Sequence, residues 1–250
     1  MQYLETAQAC QPQVISRVHR WLQNMQLQRF WPSTCVLCRG RAQSGLDICL
    51  PCAGDLPVND AACPRCALPL HAAPAGVICG RCQDRLPKFD ASLVPYLYAY
   101  PLDHLIQRLK FGNHVPCGRV CGTLLARALL ARNVRLPEVI VPVPLGTRRY
   151  RRRGYNQAHE IARAISRLVG VPVRSDLLKR VRETNEQVGL KQKERRRNVR
   201  GAFAVTREIA GKRIAIVDDV VTTGSTVNEI ARVLRHAGAE HIEVWAVARA

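Results

Sequence analysis

Four cysteine pairs of the form CxxC (Cys35/Cys38, Cys49/Cys52, Cys63/Cys66 and Cys79/Cys82) are separated by ten, ten and twelve residues. They dominate residues 33–87, a stretch rich in Cys, Pro, Gly and Ala with no strand or helix periodicity. Such a segment buries too little apolar surface to fold unaided and needs a staple. Two cysteines flanking two residues in a tight turn aim both sulfurs at one ion, and a second knuckle across a short hairpin completes a tetrahedron. Four knuckles therefore predict two structural Zn²⁺ sites, each with four thiolates and no open position for chemistry. Pairing the first two knuckles and the last two closes the shortest loops, with crossed pairing the alternative. An iron or iron–sulfur centre and a redox disulfide pair are the competing readings of the same residues. Cys10, Cys117 and Cys121 lack this spacing and read as small buried hydrophobes.

The rest of the chain has a different texture. Of 250 residues, 47% are hydrophobic and 23% charged, which excludes wholesale disorder. No apolar run reaches the length of a transmembrane helix, and the N-terminus lacks the basic patch and apolar stretch of a secretory signal. A reducing cytoplasm is the expected compartment, where clustered cysteines hold metal rather than each other. Val14, Val18, Trp21, Leu22 and Met25 predict an amphipathic helix over 13–30, within an N-terminal segment 1–32. The cysteine module follows over 33–87. From residue 88 to 250, strand-like ASLVPYLYAY, EVIVPVP, RIAIVDDVV and HIEVWAVA alternate with helical runs over 102–111, 118–132, 156–169 and 226–236. Continuous apolar strands between helices predict an α/β domain with a mostly parallel sheet flanked by helices.

Charge is as unevenly spread as cysteine. Lys and Arg number 38 against 19 Asp and Glu, a net +19. Residues 148–200 alone hold 17 of those cations and five of the acids. Such an excess attracts phosphate: nucleic acid, an anionic membrane surface or a polyphosphorylated small molecule. Only Tyr150 and Tyr155 lie in that stretch as platforms for base stacking.

The most specific local signal is RIAIVDDVVTTGST, Arg213 to Thr226. Four apolar residues predict a buried strand, and Asp218 and Asp219 follow toward its carboxyl end, the ligand-binding edge of an open α/β sheet. Thr222, Thr223, Gly224, Ser225 and Thr226 then offer backbone N–H groups and hydroxyls to a phosphate at a helix N-terminus. Gly224 supplies the positive φ or close approach such a loop needs. Two carboxylates repel phosphate but accept hydrogen bonds from sugar hydroxyls, so a ribose 5-phosphate suits both halves. The Walker pattern GxxxxGK[ST] is absent.

This stretch resembles the phosphoribosyl pyrophosphate (PRPP) motif of type I phosphoribosyltransferases. Cysteine knuckles, then Lys110-Phe111-Gly112, then VPVPLGTRRYRRRGYNQA, then the PRPP motif resemble the ComF family, including its GntX-like members. The likeness spans about residues 33–250. It implies that Asp218 and Asp219 bind the ribose hydroxyls, that Thr222 to Thr226 hold the 5-phosphate, and that Mg²⁺ arrives largely through PRPP itself. It places the pyrophosphate loop at Val141 to Leu145, including Val143 and Pro144. Arg152, Arg153, Arg195 and Arg196 are the candidates to stabilise the leaving pyrophosphate, and the loop over 182–200 is in the position to close on substrate. Arg152 to Gln157 is a family-typical box, as is the spacing of Thr184, Gln187, Leu190, Arg195, Arg196, Asn198 and Phe203. No base-binding hood is recognisable; the zinc ribbons stand on the N-terminal side instead. The resemblance further implies use of imported DNA, with single-stranded DNA and a protein of the competence machinery as possible partners. A nucleic-acid-binding protein that keeps the fold without turnover is the alternative.

Overall fold

The computed structural model describes residues 33–43, 45–70, 74, 76–132, 135–183 and 197–250. The helix expected over 13–30, Cys10, Thr184, Gln187, Leu190, Arg195 and Arg196 lie outside the described residues. Among the described residues no helix is long and apolar enough to cross a membrane.

In the cysteine segment the only helices described are two single turns, α1 (Leu50–Gly54) and α2 (Gly80–Asp84), each opening directly after a knuckle cysteine. The α/β part follows as β1 (Ala91–Leu93), β2 (Tyr96–Leu97), α3 (Leu102–Phe111), α4 (Val115–Ala131), β3 (Val139–Pro142), α5 (Thr147–Arg153) and α6 (Gln157–Val169). It continues through β4 (Leu178–Arg180), β5 (Phe203–Val205), β6 (Arg213–Val221), α7 (Ser225–His236) and β7 (His241–Arg249).

Five strands form a parallel sheet in the order β1, β7, β6, β3, with β2 continuing alongside β7 beyond β1. Parallel strands joined through helices bury both faces, which explains the unbroken apolar runs. Period-two alternation divides β6 cleanly: Ala215 and Val217 pack toward α4 and α6, Ile214 and Ile216 toward α7. Helix α6 shows the local logic in miniature. Asn156 caps it by accepting from the Ala158 N–H at 3.0 Å, and Ile161, Ala162 and Ile165 form its buried stripe. It crosses α4 closely at Gly122, where an added Cβ would lie 2.5 Å from the Ile161 carbonyl oxygen.

Two pieces escape the sequence reading. β4 and β5 form an antiparallel ribbon apart from the main sheet, and TRRYRRR forms the short basic helix α5. Elsewhere the predicted helices and strands lie within a few residues of the observed ones.

The first pair of knuckles does not stand off as a separate bead. Cys35, Val36, Leu46, Ile48 and Leu56 share a buried core with Leu105, Cys117 and Cys121 of α3 and α4. Arg119 of α4 pairs with Asp47, and Arg108 of α3 donates to the Val36 carbonyl.

Candidate functional site

The eight knuckle cysteines assemble in two groups, Cys35/Cys38/Cys49/Cys52 and Cys63/Cys66/Cys79/Cys82, which is the sequential pairing. Within each group all ligand sulfurs lie within 4.8 Å of one another. Cys38 and Cys49 approach to 3.6 Å and Cys66 and Cys79 to 3.5 Å. A tetrahedron with Zn–S bonds of 2.3 Å has edges of about 3.8 Å, so the sulfurs fit the ion. Burial opposes ionisation of Cys35 and Cys63, but backbone N–H donors outweigh it and hold these thiols down at about 6 and about 7. Each group thus contains one sulfur already disposed to be a thiolate. Cys117 and Cys121 are fully buried in α4, and burial pushes both thiols up, as expected of packing residues.

The second assembly stands at the carboxyl edge of β6. Here a cleft of about 800 Å³ is lined by Lys110 and Phe111 from α3, by Val143, Pro144 and Leu145 after β3, by Arg149, Arg152 and Arg153 of α5, by Gln157 of α6 and Arg180 of β4, and by residues 218–227. β6 runs on through both acids to Val221, so alternation sends them apart. Asp219 forms an ion pair with Lys110 at 3.0 Å. Burial works against the Lys110 ammonium, yet Asp219 outweighs it and raises the lysine above its ordinary range. Asp218 is the perturbed acid: burial, then the charge of Asp219, push it up to about 7 against the opposing pull of Lys110 and the Asp219 N–H.

The loop after β6 turns into α7 through Gly224, whose φ of 73° is the left-handed conformation anticipated for it. The helix opens at Ser225, one residue before the expected start. Thr223 and Ser225 hydroxyls bond each other at 2.8 Å. Across the cleft, Asn156 Nδ2 donates to the Val143 carbonyl at 2.9 Å, fixing the turn after β3 to the cap of α6. Glu183 accepts from the Arg148 N–H at the start of α5.

Arg153 reaches back over the Phe111 ring, 5.1 Å from its centroid, and donates to Gln157 Oε1 at 2.9 Å. Arg153 Nε and Gln157 Nε2 are buried donors without a hydrogen-bond partner among the described residues. Buried donors normally find acceptors, so this corner of the cleft suits an oxygen-rich ligand.

The structure therefore brings together Asp218, Asp219, Thr222 to Thr226, Val143, Pro144, Arg152 and Arg153 in one cleft. Sequence reasoning missed Lys110 as a partner of Asp219, and Arg149, Gln157 and Arg180 as lining residues. Lys110 and Gln157 were quoted within motifs without roles, whereas Arg180 sits in a three-residue strand that carries no motif.

Fold and cleft define a phosphoribosyltransferase-type α/β protein with a double zinc ribbon. The double zinc ribbon domain family matches residues 26–83 and the phosphoribosyl transferase domain family residues 151–250. Competence protein F of Haemophilus influenzae is 38% identical over 234 residues, covering 90% of this chain and 100% of that protein. DNA utilization protein YhgH of Salmonella typhimurium is 38% identical over 223 residues, 87% of this chain and 97% of that protein. Competence protein ComFC of Bacillus subtilis is 35% identical over 101 residues, 40% of this chain and 39% of that protein. The chain belongs to the ComF family.

Proposed function

We propose that the cleft binds PRPP as its magnesium complex and transfers the phosphoribosyl group to an acceptor, in the service of DNA use. The observation that carries this reading is the convergence of Asp218 and Asp219, the Thr222–Thr226 loop with its left-handed Gly224, and the turn at Val143 and Pro144 in one cleft. Thr222 to Thr226 would hold the 5-phosphate, and the two carboxylates would accept from the ribose hydroxyls. Asp218 and Asp219 are hard oxygen donors suited to Mg²⁺, which characteristically keeps most of its shell as water and substrate phosphate. When bound, the ion would supply positive charge at the pyrophosphate. Departure of pyrophosphate from C1 leaves an oxocarbenium-like centre and builds negative charge on the leaving group. Arg149, Arg152, Arg153 and Arg180 line the cleft and would stabilise that charge. Calorimetry of PRPP–Mg²⁺ with the wild-type chain and with Asp218→Asn/Asp219→Asn tests the reading. Binding by wild type and its loss in the double variant is expected; no binding by wild type would sink it.

A second reading, binding of single-stranded DNA, is favoured by a second concavity. A groove of about 600 Å³ between the second ribbon and α7 is lined by Arg81, Arg85, Lys88, Arg200, Arg232 and Arg249. It shares Val221, Thr223, Gly224 and Ser225 with the first cleft. Among the described residues the only acid lining it, Glu229, is paired with Arg232 at 2.8 Å. Two relatives are named for competence and DNA utilization. Titration of a single-stranded oligonucleotide at low and high salt, on wild type and Arg85→Gln/Lys88→Gln, tests it. Affinity that falls steeply with salt and weakens in the variant is expected; no affinity at low salt removes the reading.

A further inference from the structure

The carbonyl groups of the phosphate loop point to an unusual neighbour. Arg249, at the end of β7, is only 4% exposed, yet among the described residues it forms no ion pair with an Asp or Glu side chain. Its guanidinium instead donates to the Val221 carbonyl at 2.9 Å, to the Thr222 carbonyl, to the Cys66 carbonyl at 3.3 Å and to the backbone oxygen of the adjacent Ala250. One side chain thereby joins the loop of the proposed 5-phosphate site to a knuckle of the second zinc ribbon. Arg81, next to the ligand Cys82, reinforces the link by donating to the Thr223 carbonyl at 3.4 Å. Lys88 N–H donates to Asn228 Oδ1 at 2.8 Å, tying the end of the ribbon to the first turn of α7.

Charge explains why a buried arginine is tolerated. The guanidinium meets the second ribbon at the backbone of Cys66, one of the four cysteines grouped there. Four thiolates around one divalent ion keep roughly two net negative charges. A zinc-bound ribbon would thus set negative charge beside the residue that fixes the loop, and loss of the metal would remove both that charge and the knuckle's hold on the Cys66 carbonyl.

We propose that Arg249 is a positioning residue that couples the second zinc site to the phosphate loop, so that Zn²⁺ at Cys63/Cys66/Cys79/Cys82 and phosphate at Thr222–Thr226 strengthen each other's binding. The inference rests on the PRPP reading of the cleft. Coupling between sites is reciprocal, so it is measurable from the metal side. The first ribbon serves as an internal control, because it packs on α3 and α4 and makes no such contact with the loop.

The experiment is release of zinc from the full chain to a zinc-selective chelator, followed with and without saturating PRPP–Mg²⁺. Calorimetry on the same preparation records whether PRPP binds. The expected result is two equivalents of zinc, one released about tenfold more slowly when PRPP is bound. Arg249→Met should abolish that protection, Arg249→Lys should restore part of it, and the exposed Arg81→Gln should weaken it if the buried variants fail to fold. PRPP binding with unchanged zinc release overturns the coupling and leaves the PRPP reading intact. Equal protection of both equivalents also overturns it, since that signals general stabilisation. Absence of PRPP binding overturns both.

Discussion

Asp218 is held in the wrong charge state for stability, and replacing it should make the ligand-free protein more stable while disabling the site. Its carboxyl rises from 3.8 to about 7 through burial and the neighbouring charge of Asp219. That rise is equivalent to a penalty of about 4 kcal/mol on the ionised form. Asp218 is only partly buried, so solvent screens some of it. About 2 kcal/mol is the stabilisation expected of Asp218→Asn above pH 7.5. Asparagine keeps the oxygen that accepts the Asp219 N–H, a bond of 2.9 Å in the wild type. The sign follows from linkage. A carboxyl with a folded pKa above its unfolded one contributes stability that is complete below about 3.8 and lost as pH rises through about 7. The advantage of the variant should therefore shrink steadily as pH falls from 7.5 toward 4. Scanning fluorimetry of both chains across that range is the assay, and zinc loss at acid pH is common to both and cancels in the difference. A gain of roughly 4–8 °C at pH 7.5 is expected for about 2 kcal/mol in a chain of this size. A variant less stable than wild type at pH 7.5, or a difference flat in pH, refutes the reasoning. Asp219→Asn supplies the contrast: it leaves Lys110 without its carboxylate 3.0 Å away and should destabilise the chain at pH 7.5.

Gly122→Ala should lower stability by about 1–3 kcal/mol in a denaturant titration, because the new methyl meets the Ile161 carbonyl at 2.5 Å and Ala164 Cβ at 2.6 Å. Asn156→Ala removes both the cap of α6 and the bond to the Val143 carbonyl. It should cost about 1 kcal/mol by thermal unfolding and weaken PRPP binding by calorimetry beyond what that loss explains. Complete zinc removal should unfold more than the ribbons, since Cys35 and Ile48 belong to the core around α3 and α4. Near-ultraviolet circular dichroism of Trp245, which is buried in that same core, should report the loss.

The legible parts of this chain were those in which one residue type serves one physical demand. Sulfur spacing gave the two cysteine groups, because a tetrahedral ion demands paired knuckles wherever the surrounding chain runs. The strand, the acids and the left-handed Gly224 of the phosphate loop were equally readable, because they form one contiguous local unit. What stayed hidden was set by tertiary approach. Lys110 meets Asp219 only because α3 is folded over the end of β6, and the Lys-Phe-Gly motif that contains it carries no sign of that partner. Arg249 reads as a polar residue ending an apolar strand, and nothing local says that it is 4% exposed and bound to both the loop after β6 and the second ribbon. The charge run over 148–200 was visible as a run but not as two destinations, with Arg149, Arg152, Arg153 and Arg180 in the cleft and Arg200 in the groove beyond the loop.

That division bears on the relation between the two proposed functions. The cleft and the groove are separated by a single wall, residues 221–225, whose carbonyls are tied to Arg249 and Arg81. A polyanion in the groove and a 5-phosphate in the cleft would thus lie on opposite sides of the same backbone. A chain built only to bind one small phosphorylated sugar has no use for Arg85, Lys88 and Arg200 beyond that wall. A chain built only to bind a phosphate backbone has no use for two adjacent acids and an ion-paired lysine in the neighbouring cleft. If both proposals hold, the two concavities would take a small phosphoribosyl donor and a larger polyanion on opposite faces of one loop.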